Sequence, residues 1–252
     1  MDKKIGVIGI GSVGSAVSHG LSFYFDDVKC YDINGLGKFR DIIDTDVVFI
    51  CVGTELVNGR LSTVDVEDVI RNLSDRQYTG IVVIKSTVSI GFTEKMSKKH
   101  KDLRIVYAPE FLREEQSYQF FIYPDRLVLA GCENDISIVK DILSWTNCPV
   151  FEMSYKEAEV MKLVHNAKIA VDVSFTNEVK MIADSFGLDA YKIMQSVWAD
   201  RRRTKFWLDP TKGPYNGKCV DKDSKEYIAT TNSRIVQSAD YVNQLFKKYK
   251  KI

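Results

Sequence analysis

The sequence predicts an α/β protein in which a doubly wound parallel sheet precedes a mostly α-helical segment, and three observations lead there. Short apolar runs at 3–9, 28–31, 46–53, 80–85, 104–107, 126–131 and 149–151 alternate with polar or helix-prone stretches such as 65–74 and 134–146, the order that builds βαβ units. A glycine-rich turn follows the first run without a gap. From Ser154 the apolar period lengthens to about 3.6 residues, with no proline before Gly187, as in one long helix. The composition can supply such a core: 252 residues, 45% hydrophobic, with 15 glycines and 5 prolines, exclude disordered and collagen-like classes. With 35 basic against 34 acidic side chains the formal charge is +1, which removes a general electrostatic case for nucleic-acid binding.

The first strand leads into Gly9-Ile10-Gly11-Ser12-Val13-Gly14, then a helix-prone stretch from Ser15 to Leu21, then Val28-Lys29-Cys30-Tyr31-Asp32. Strand, glycine turn, helix, strand and acid in that order make a Rossmann-type dinucleotide site out of a pattern that is weak alone. Gly9 permits the tight turn, Gly11 lets backbone N–H groups approach a pyrophosphate, and Gly14 allows close helix–strand packing, with Ile10 and Val13 between them. The helix N-terminus turns its partial positive charge toward the phosphates. Asp32, ending the second strand, is placed to accept hydrogen bonds from both ribose hydroxyls and to repel a 2′-phosphate, which favours NAD over NADP. A purely structural glycine turn is the alternative. Later strands run into Val52-Gly53-Thr54-Glu55, Lys85-Ser86-Thr87-Val88 and Ala108-Pro109-Glu110-Phe111-Leu112-Arg113-Glu114. All three loops fall at the carboxyl ends of strands, where ligands bind in sheets of this kind.

In the long helix Lys162 and Asn166 stand four residues apart and share a face, to which Asn177 nearly returns. Such a polar stripe is either the solvated side of the helix or a ligand-facing one. His165 beside it reads as a packing or surface residue, and His19 and His100 sit in no constellation. The five cysteines, at 30, 51, 132, 148 and 219, include no CxxC pair and no metal-ligand spacing, so neither a disulfide framework nor a metal site is expected. Cys30 and Cys51 fall in apolar runs and read as small core residues. Cys219 lies in the turn-rich loop 212–223 with lysines on both sides. Nearby ammonium groups favour the nucleophilic thiolate, although a solvated loop cysteine would look the same. The apolar runs are too short to span a bilayer and the N-terminus lacks a signal-peptide core, so a cytoplasmic protein without membrane partners is expected. The terminal Lys247-Lys248-Tyr249-Lys250-Lys251 reads as a solvated tail.

Taken in order, several segments resemble the UDP-glucose/GDP-mannose dehydrogenase family of nucleotide-sugar 6-dehydrogenases. They are Gly9 to Gly14, Asp46 to Thr54, Ile84-Lys85-Ser86-Thr87-Val88, Pro109 to Glu114, Pro124-Asp125-Arg126, Glu157-Ala158-Glu159 with Lys162 and Asn166, and Cys219 followed by Lys222-Asp223. The resemblance implies NAD-dependent oxidation of a sugar primary alcohol, UDP-glucose before others, to the carboxylate in two hydride transfers. It implies that Cys219 holds the aldehyde as a thiohemiacetal and then as a thioester. Lys162 and Asn166 would stabilise developing oxyanions, Asp223 and Thr87 would position a proton-relaying water, and Glu110 would assist thioester hydrolysis. Phe111, Leu112 and Arg113, with Lys162, Asn166 and Arg202, would line the nucleotide-sugar site. On the cofactor side Gly9, Ile10, Gly11, Val13, Gly14 and Asp32 would be joined by Gly53, Thr54, Ser86, Thr87 and Glu114. Tyr241-Val242-Asn243-Gln244 resembles the family's dimer helix, which makes a homodimer the expectation.

The pattern also departs from the family. The stretch from Asp32 to Asp46 is short where relatives carry a longer helical insertion, and the cysteine loop is one residue shorter, with Asp221 in place of a proline. Relatives continue beyond the dimer helix into a second α/β domain, whereas this chain stops. Asp200-Arg201-Arg202-Arg203-Thr204-Lys205-Phe206 is the local candidate for gripping a diphosphate, with a solvated arginine cluster as the equal alternative. The expected division is an NAD-binding Rossmann-type domain at 1–150 and a helical central and dimerisation domain at 151–252. Two other functions stay open at this stage: an NAD-dependent dehydrogenase of another sugar or small alcohol, and a catalytically silent NAD-binding module that partners a full-length relative.

Overall fold

The computed structural model describes residues 3–112, 116–200, 213–215 and 218–249. The chain packs as two units, Met1–Glu55 with Leu61–Lys162, and Leu56–Arg60 with Leu163–Ile252. In chain order the elements begin β1 (Ile5–Ile8), α1 (Ser12–Leu21), β2 (Val28–Tyr31), α2 (Phe39–Ile43) and β3 (Val47–Ile50). A hairpin of β4 (Leu56–Val57) and β5 (Arg60–Leu61) follows, turning through Asn58 and Gly59 at positive φ, the backbone that a two-residue hairpin demands. Then come α3 (Val64–Asp75), β6 (Ile81–Ile84), α4 (Phe92–Lys99), β7 (Arg104–Tyr107), α5 (Ser117–Ile122), β8 (Leu127–Leu129), α6 (Glu133–Ile142), β9 (Val150–Glu152) and the long α7 (Tyr155–Ser185).

Five strands pair in parallel in the order β2-β1-β3-β6-β7. Their apolar residues alternate between two cores, as the period-2 pleat requires. Val7, Phe49 and Val83 pack with Val17 and Leu21 of α1 and Val139 of α6, whereas Ile8, Ile50 and Ile84 pack with Ile42 of α2, Ile70 of α3 and Met96 of α4. Helices therefore cover both faces, the doubly wound arrangement the sequence predicts. Each such buried aliphatic side chain contributes about 1.5–3 kcal/mol relative to exposure. The register puts Ile8 opposite both Tyr31 and Ile50, Ile50 opposite Ile84, and Ile84 opposite Tyr107. Consequently Gly9, Asp32, Cys51, Lys85 and Ala108, each the next residue in its chain segment, follow strands that end level with one another. The strand order reverses between β1 and β3, beside the glycine turn, and such a switch point is where a crevice opens. Beyond β7, Tyr107 and Ala130 exchange backbone hydrogen bonds of 2.8 and 2.9 Å, and β8 pairs in parallel with β9.

Helix α7 runs unbroken through the predicted span. It starts at a capping box in which the Ser154 N–H donates to Glu157 Oε2 (2.8 Å) and the Glu157 N–H donates to Ser154 Oγ (3.3 Å). It stops at Gly187, whose φ of +66° lets the Leu188 N–H reach back to the Ala183 carbonyl at 2.8 Å. The expected apolar stripe is corrected in part: Val164 and Ile182 are 40% and 54% exposed, while Lys162, Asn166 and Asn177 are 3%, 5% and 1% exposed. The polar stripe is therefore not a solvated side.

The second unit continues with α8 (Ala190–Trp198), α9 (Lys218–Thr231) and α10 (Arg234–Tyr249). The Asp189 side chain caps α8 by accepting from the N–H groups of Tyr191 and Lys192. Helix α10 buries Val236, Ala239, Asn243 and Phe246 at helical spacing, and Ser174 Oγ donates to the Ala239 carbonyl at 2.6 Å. Two expectations change here. The cysteine loop ends sooner than 223, because Cys219 to Asp223 already belong to α9. No glycine or proline follows Gly217 in that helix, Asp221 sits in its first turn, and an Asp221–Lys225 ion pair of 2.6 Å spans one turn. Lys247 and Lys248, read as tail, form the last turn of α10, where cations suit the helix dipole.

Candidate active site

In the first unit the glycine turn is dictated by space. Gly9 has φ +85°, and a Cβ there would lie 2.8 Å from the Val52 nitrogen; a Cβ on Gly14 would lie 1.7 Å from the Gly9 carbonyl oxygen. Gly11 differs, since a Cβ there would meet nothing within 4 Å. It is the N-cap of α1, and no side chain caps that helix. First-turn amides with no side-chain cap, beside a position kept bare, suit a diphosphate. Asp32 Oδ2 accepts the Ile10 N–H at 2.7 Å and Oδ1 accepts the Asn34 N–H at 2.9 Å. These two amides, Ile10 first, hold its carboxyl below the usual range and tie it to the start of the glycine turn, within which Val13 lies. Gly53 is open like Gly11. Thr54, Ser86 and Thr87 are buried, and Ser86 Oγ donates to the Val52 carbonyl at 2.8 Å, tying the loops after β3 and β6 together. This set fits a dinucleotide.

A second cluster in the same unit gathers on Glu110. Its Oε2 accepts the Leu112 N–H at 2.5 Å and its Oε1 lies 3.7 Å from Lys162 Nζ, with both side chains almost wholly buried. Lys162 Nζ stands 5.2 Å from the centre of the Phe111 ring, and the Arg126 guanidinium 4.2 Å from it, so one aromatic ring serves two cations. Glu110, Phe111 and Leu112 line a small pocket with Lys85, Asp125 and Arg126. Burial pushes the Lys85 ammonium below its ordinary value, against the pull of the Glu110 carboxylate. Burial pushes the Cys51 thiol up to about 12, which makes it an inert core thiol.

Glu159, one turn before Lys162 on α7, is fully buried. Its Oε2 accepts the Gly91 N–H at 2.5 Å and its Oε1 the Thr93 N–H at 2.7 Å. Gly91, the N-cap of α4, has no side chain of its own to do this, so the carboxylate supplies the missing cap from another helix. The sequence reading assigned no role to Lys85 or Glu159. The signal for both was a charged residue set directly against apolar ones, after Ile81-Val82-Val83-Ile84 and beside Ala158.

In the second unit Asn166 Nδ2 donates to Asp223 Oδ2 at 2.6 Å, with both side chains buried. Cys219 is exposed on the first turn of α9. Arg113, Glu114 and Arg202 lie outside the described residues, as does the whole of 201–206. Among the described residues no helix is long and apolar enough to cross a membrane.

A parallel sheet with a bare glycine turn at its switch point and an acid ending the next strand defines a dinucleotide-binding protein of the Rossmann class. Residues 38–145 match the NAD binding domain of the UDP-glucose/GDP-mannose dehydrogenase family, and residues 156–247 match its central domain. The chain belongs to this family, and its cofactor is NAD. It is 30% identical over 194 residues to the UDP-glucose 6-dehydrogenase of Campylobacter jejuni, covering 74% of this chain and 49% of that one. With the UDP-glucose 6-dehydrogenase of Streptococcus pneumoniae it shares 31% identity over 182 residues, 68% of this chain and 46% of the relative. The chain thus spans about half the length of these curated relatives. Among solved structures, a UDP-glucose dehydrogenase from the hyperthermophilic archaeon Pyrobaculum islandicum superposes with a TM-score of 0.89 at 25% identity, over 99% of this chain and 69% of that one.

Proposed function

We infer that the protein oxidises the C6 hydroxyl of a nucleotide sugar, UDP-glucose in the first instance, to the carboxylate. The observation that carries this reading is the pairing of an exposed Cys219 with a buried Asn166–Asp223 hydrogen bond in one unit, on a chain whose other unit holds Glu110 against Lys162. NAD, when bound, accepts a hydride in each of two oxidations. Everything else falls to the chain. In the first oxidation the alcohol loses its hydroxyl proton and a C6 hydride. The Cys219 sulfur then adds to the aldehyde carbon, the carbonyl oxygen taking up a proton, to give a thiohemiacetal. Loss of a second hydride and that proton leaves a thioester. Water attacks it, the C–S bond breaks, and the acid and the free thiol result.

Lys162 and Asn166 are the donors for the oxyanions of these steps. Asp223 with Thr87 positions the water that relays protons, and Glu110, held ready by the Leu112 N–H, assists hydrolysis. The reading assigns Phe111 and Leu112 to the sugar-nucleotide side and Gly53, Thr54 and Ser86, with the glycine turn, to the cofactor side; Arg113 and Arg202 for the sugar nucleotide and Glu114 for the cofactor are assigned by the family resemblance alone. The same reading assigns residues 1–150 to cofactor binding and 151–252 to a central domain that pairs two copies in the cytoplasm. What supports pairing is apolar surface within the second unit: Phe175 and Ile182 on α7, Ile235 and Tyr241 on α10 are all exposed.

The test is NADH yield per sugar over a panel of UDP- and GDP-sugars. Two equivalents support the cysteine route, one indicates an alcohol dehydrogenase, and none indicates a binding module. Cys219→Ser is expected to abolish acid formation, and undiminished acid from that variant would sink the thioester route.

A further inference from the structure

We propose that Asn243, from the middle of α10, is a positioning residue for Cys219, acting through Tyr215. Asn243 is fully buried, and its side-chain amide pairs with a backbone as a neighbouring strand would. Its Oδ1 accepts the Tyr215 N–H at 3.1 Å and its Nδ2 donates to the Tyr215 carbonyl at 3.2 Å. Only one orientation of the amide satisfies both bonds, so oxygen and nitrogen are fixed by the pairing. The Tyr215 ring is buried as well, and its hydroxyl donates to Asp240 Oδ1 at 3.2 Å, one turn earlier on α10. Burial and then the Asp240 charge push the phenol pKa up, so the hydroxyl stays protonated and keeps donating. Just before, Gly213 takes φ +85°, a turn only glycine adopts at no steric cost.

Tyr215 is thereby held at three points on α10, and Cys219 follows four residues later, on the first turn of α9. Four residues of chain reach at most about 14 Å, so holding Tyr215 bounds where Cys219 can stand. A short polar side chain buried inside a helix face otherwise costs stability, which makes a mere packing role the poorer account of Asn243. The proposal rests on the reading of Cys219 as the nucleophile.

The experiment uses the full chain and compares alkylation of Cys219 by iodoacetamide with that of Cys132, an exposed thiol in the other unit, over a range of pH and read by mass spectrometry. Asn243→Ala is expected to change the Cys219-to-Cys132 rate ratio by about three- to tenfold, the size of one or two lost buried hydrogen bonds, and to shift the pH midpoint of the Cys219 profile alone. Asn243→Asp keeps the acceptor for the Tyr215 N–H and loses the donor, so it is expected to fall between. Tyr215→Phe, which keeps the backbone pairing, is expected to shift the ratio least and serves should the Asn243 variants fail to fold. An unchanged ratio and profile in folded Asn243→Ala, or in Tyr215→Phe where the Asn243 variants do not fold, overturns the proposal. Lack of NADH from every nucleotide sugar would instead remove the nucleophile reading, and that outcome does not depend on the alkylation ratio.

Discussion

Asp32 shows how a side chain can be engaged by the fold and still have acceptor capacity to offer a ligand. Its two oxygens are already engaged by the Ile10 and Asn34 amides, yet each carboxylate oxygen has a further lone pair to offer. Asp32→Ala is therefore expected to weaken NAD binding by about 1.5–3 kcal/mol, the value of a charge-assisted hydrogen bond, and to leave the Ile10 amide without its acceptor; calorimetric titration with NAD measures the first. Asp32 was legible because its position after the second strand follows from chain order alone. Lys85 and Glu159 were not, since a lone charge beside an apolar run says nothing about which backbone amide or carboxylate stands opposite it. The same holds for Asn243, whose partner lies 28 residues away in sequence.

Among the elements, helix α4 depends on a group it does not contain. The Glu159 carboxylate supplies its cap, and Glu159→Gln puts an amide NH2 against one of two donors, an expected loss of about 1–3 kcal/mol in urea unfolding. The pH course of that loss has a definite sign. Burial, outweighing the Thr93 and Gly91 amides, raises the folded carboxyl above its ordinary 4.5. Between 4.5 and the raised value the unfolded chain has lost a proton that the folded one keeps, so stability falls as pH rises through that window. Glu159→Gln is expected to flatten this part of the wild-type curve; a slope that persists in the variant would rule out Glu159 as its source. The order of the parallel strands and the stop of α7 at Gly187 were readable from period and turn chemistry, whereas the β4–β5 hairpin and several of the short helices were not. The direction that α7 faces was not. A helix that buries Lys162, Asn166 and Asn177 while exposing Val164 and Ile182 defeats any argument from polarity to solvent; for Asn166 the partner that decides it is Asp223.

For the whole molecule, the exposed apolar residues of the second unit lead to the expectation that two copies associate. Light scattering should give the mass of a dimer, and Phe175→Ser with Ile182→Ser should lower it toward that of one chain without loss of helical circular dichroism. A monomeric wild type at micromolar concentration would contradict this. The glycine turn has a consequence of a different order. Every single-nucleotide change that alters a glycine codon brings in a residue with a Cβ, or a stop. At positions 9 and 14 that atom meets backbone within 3 Å, whereas at 11 and 53 it meets open space. A saturation library sorted for folded protein should therefore be empty in the first two columns and populated in the last two, while the same library sorted for NAD binding should also lose position 11. Heredity then has no neutral first step away from two of these glycines, and the turn stays as it is for reasons that precede any ligand.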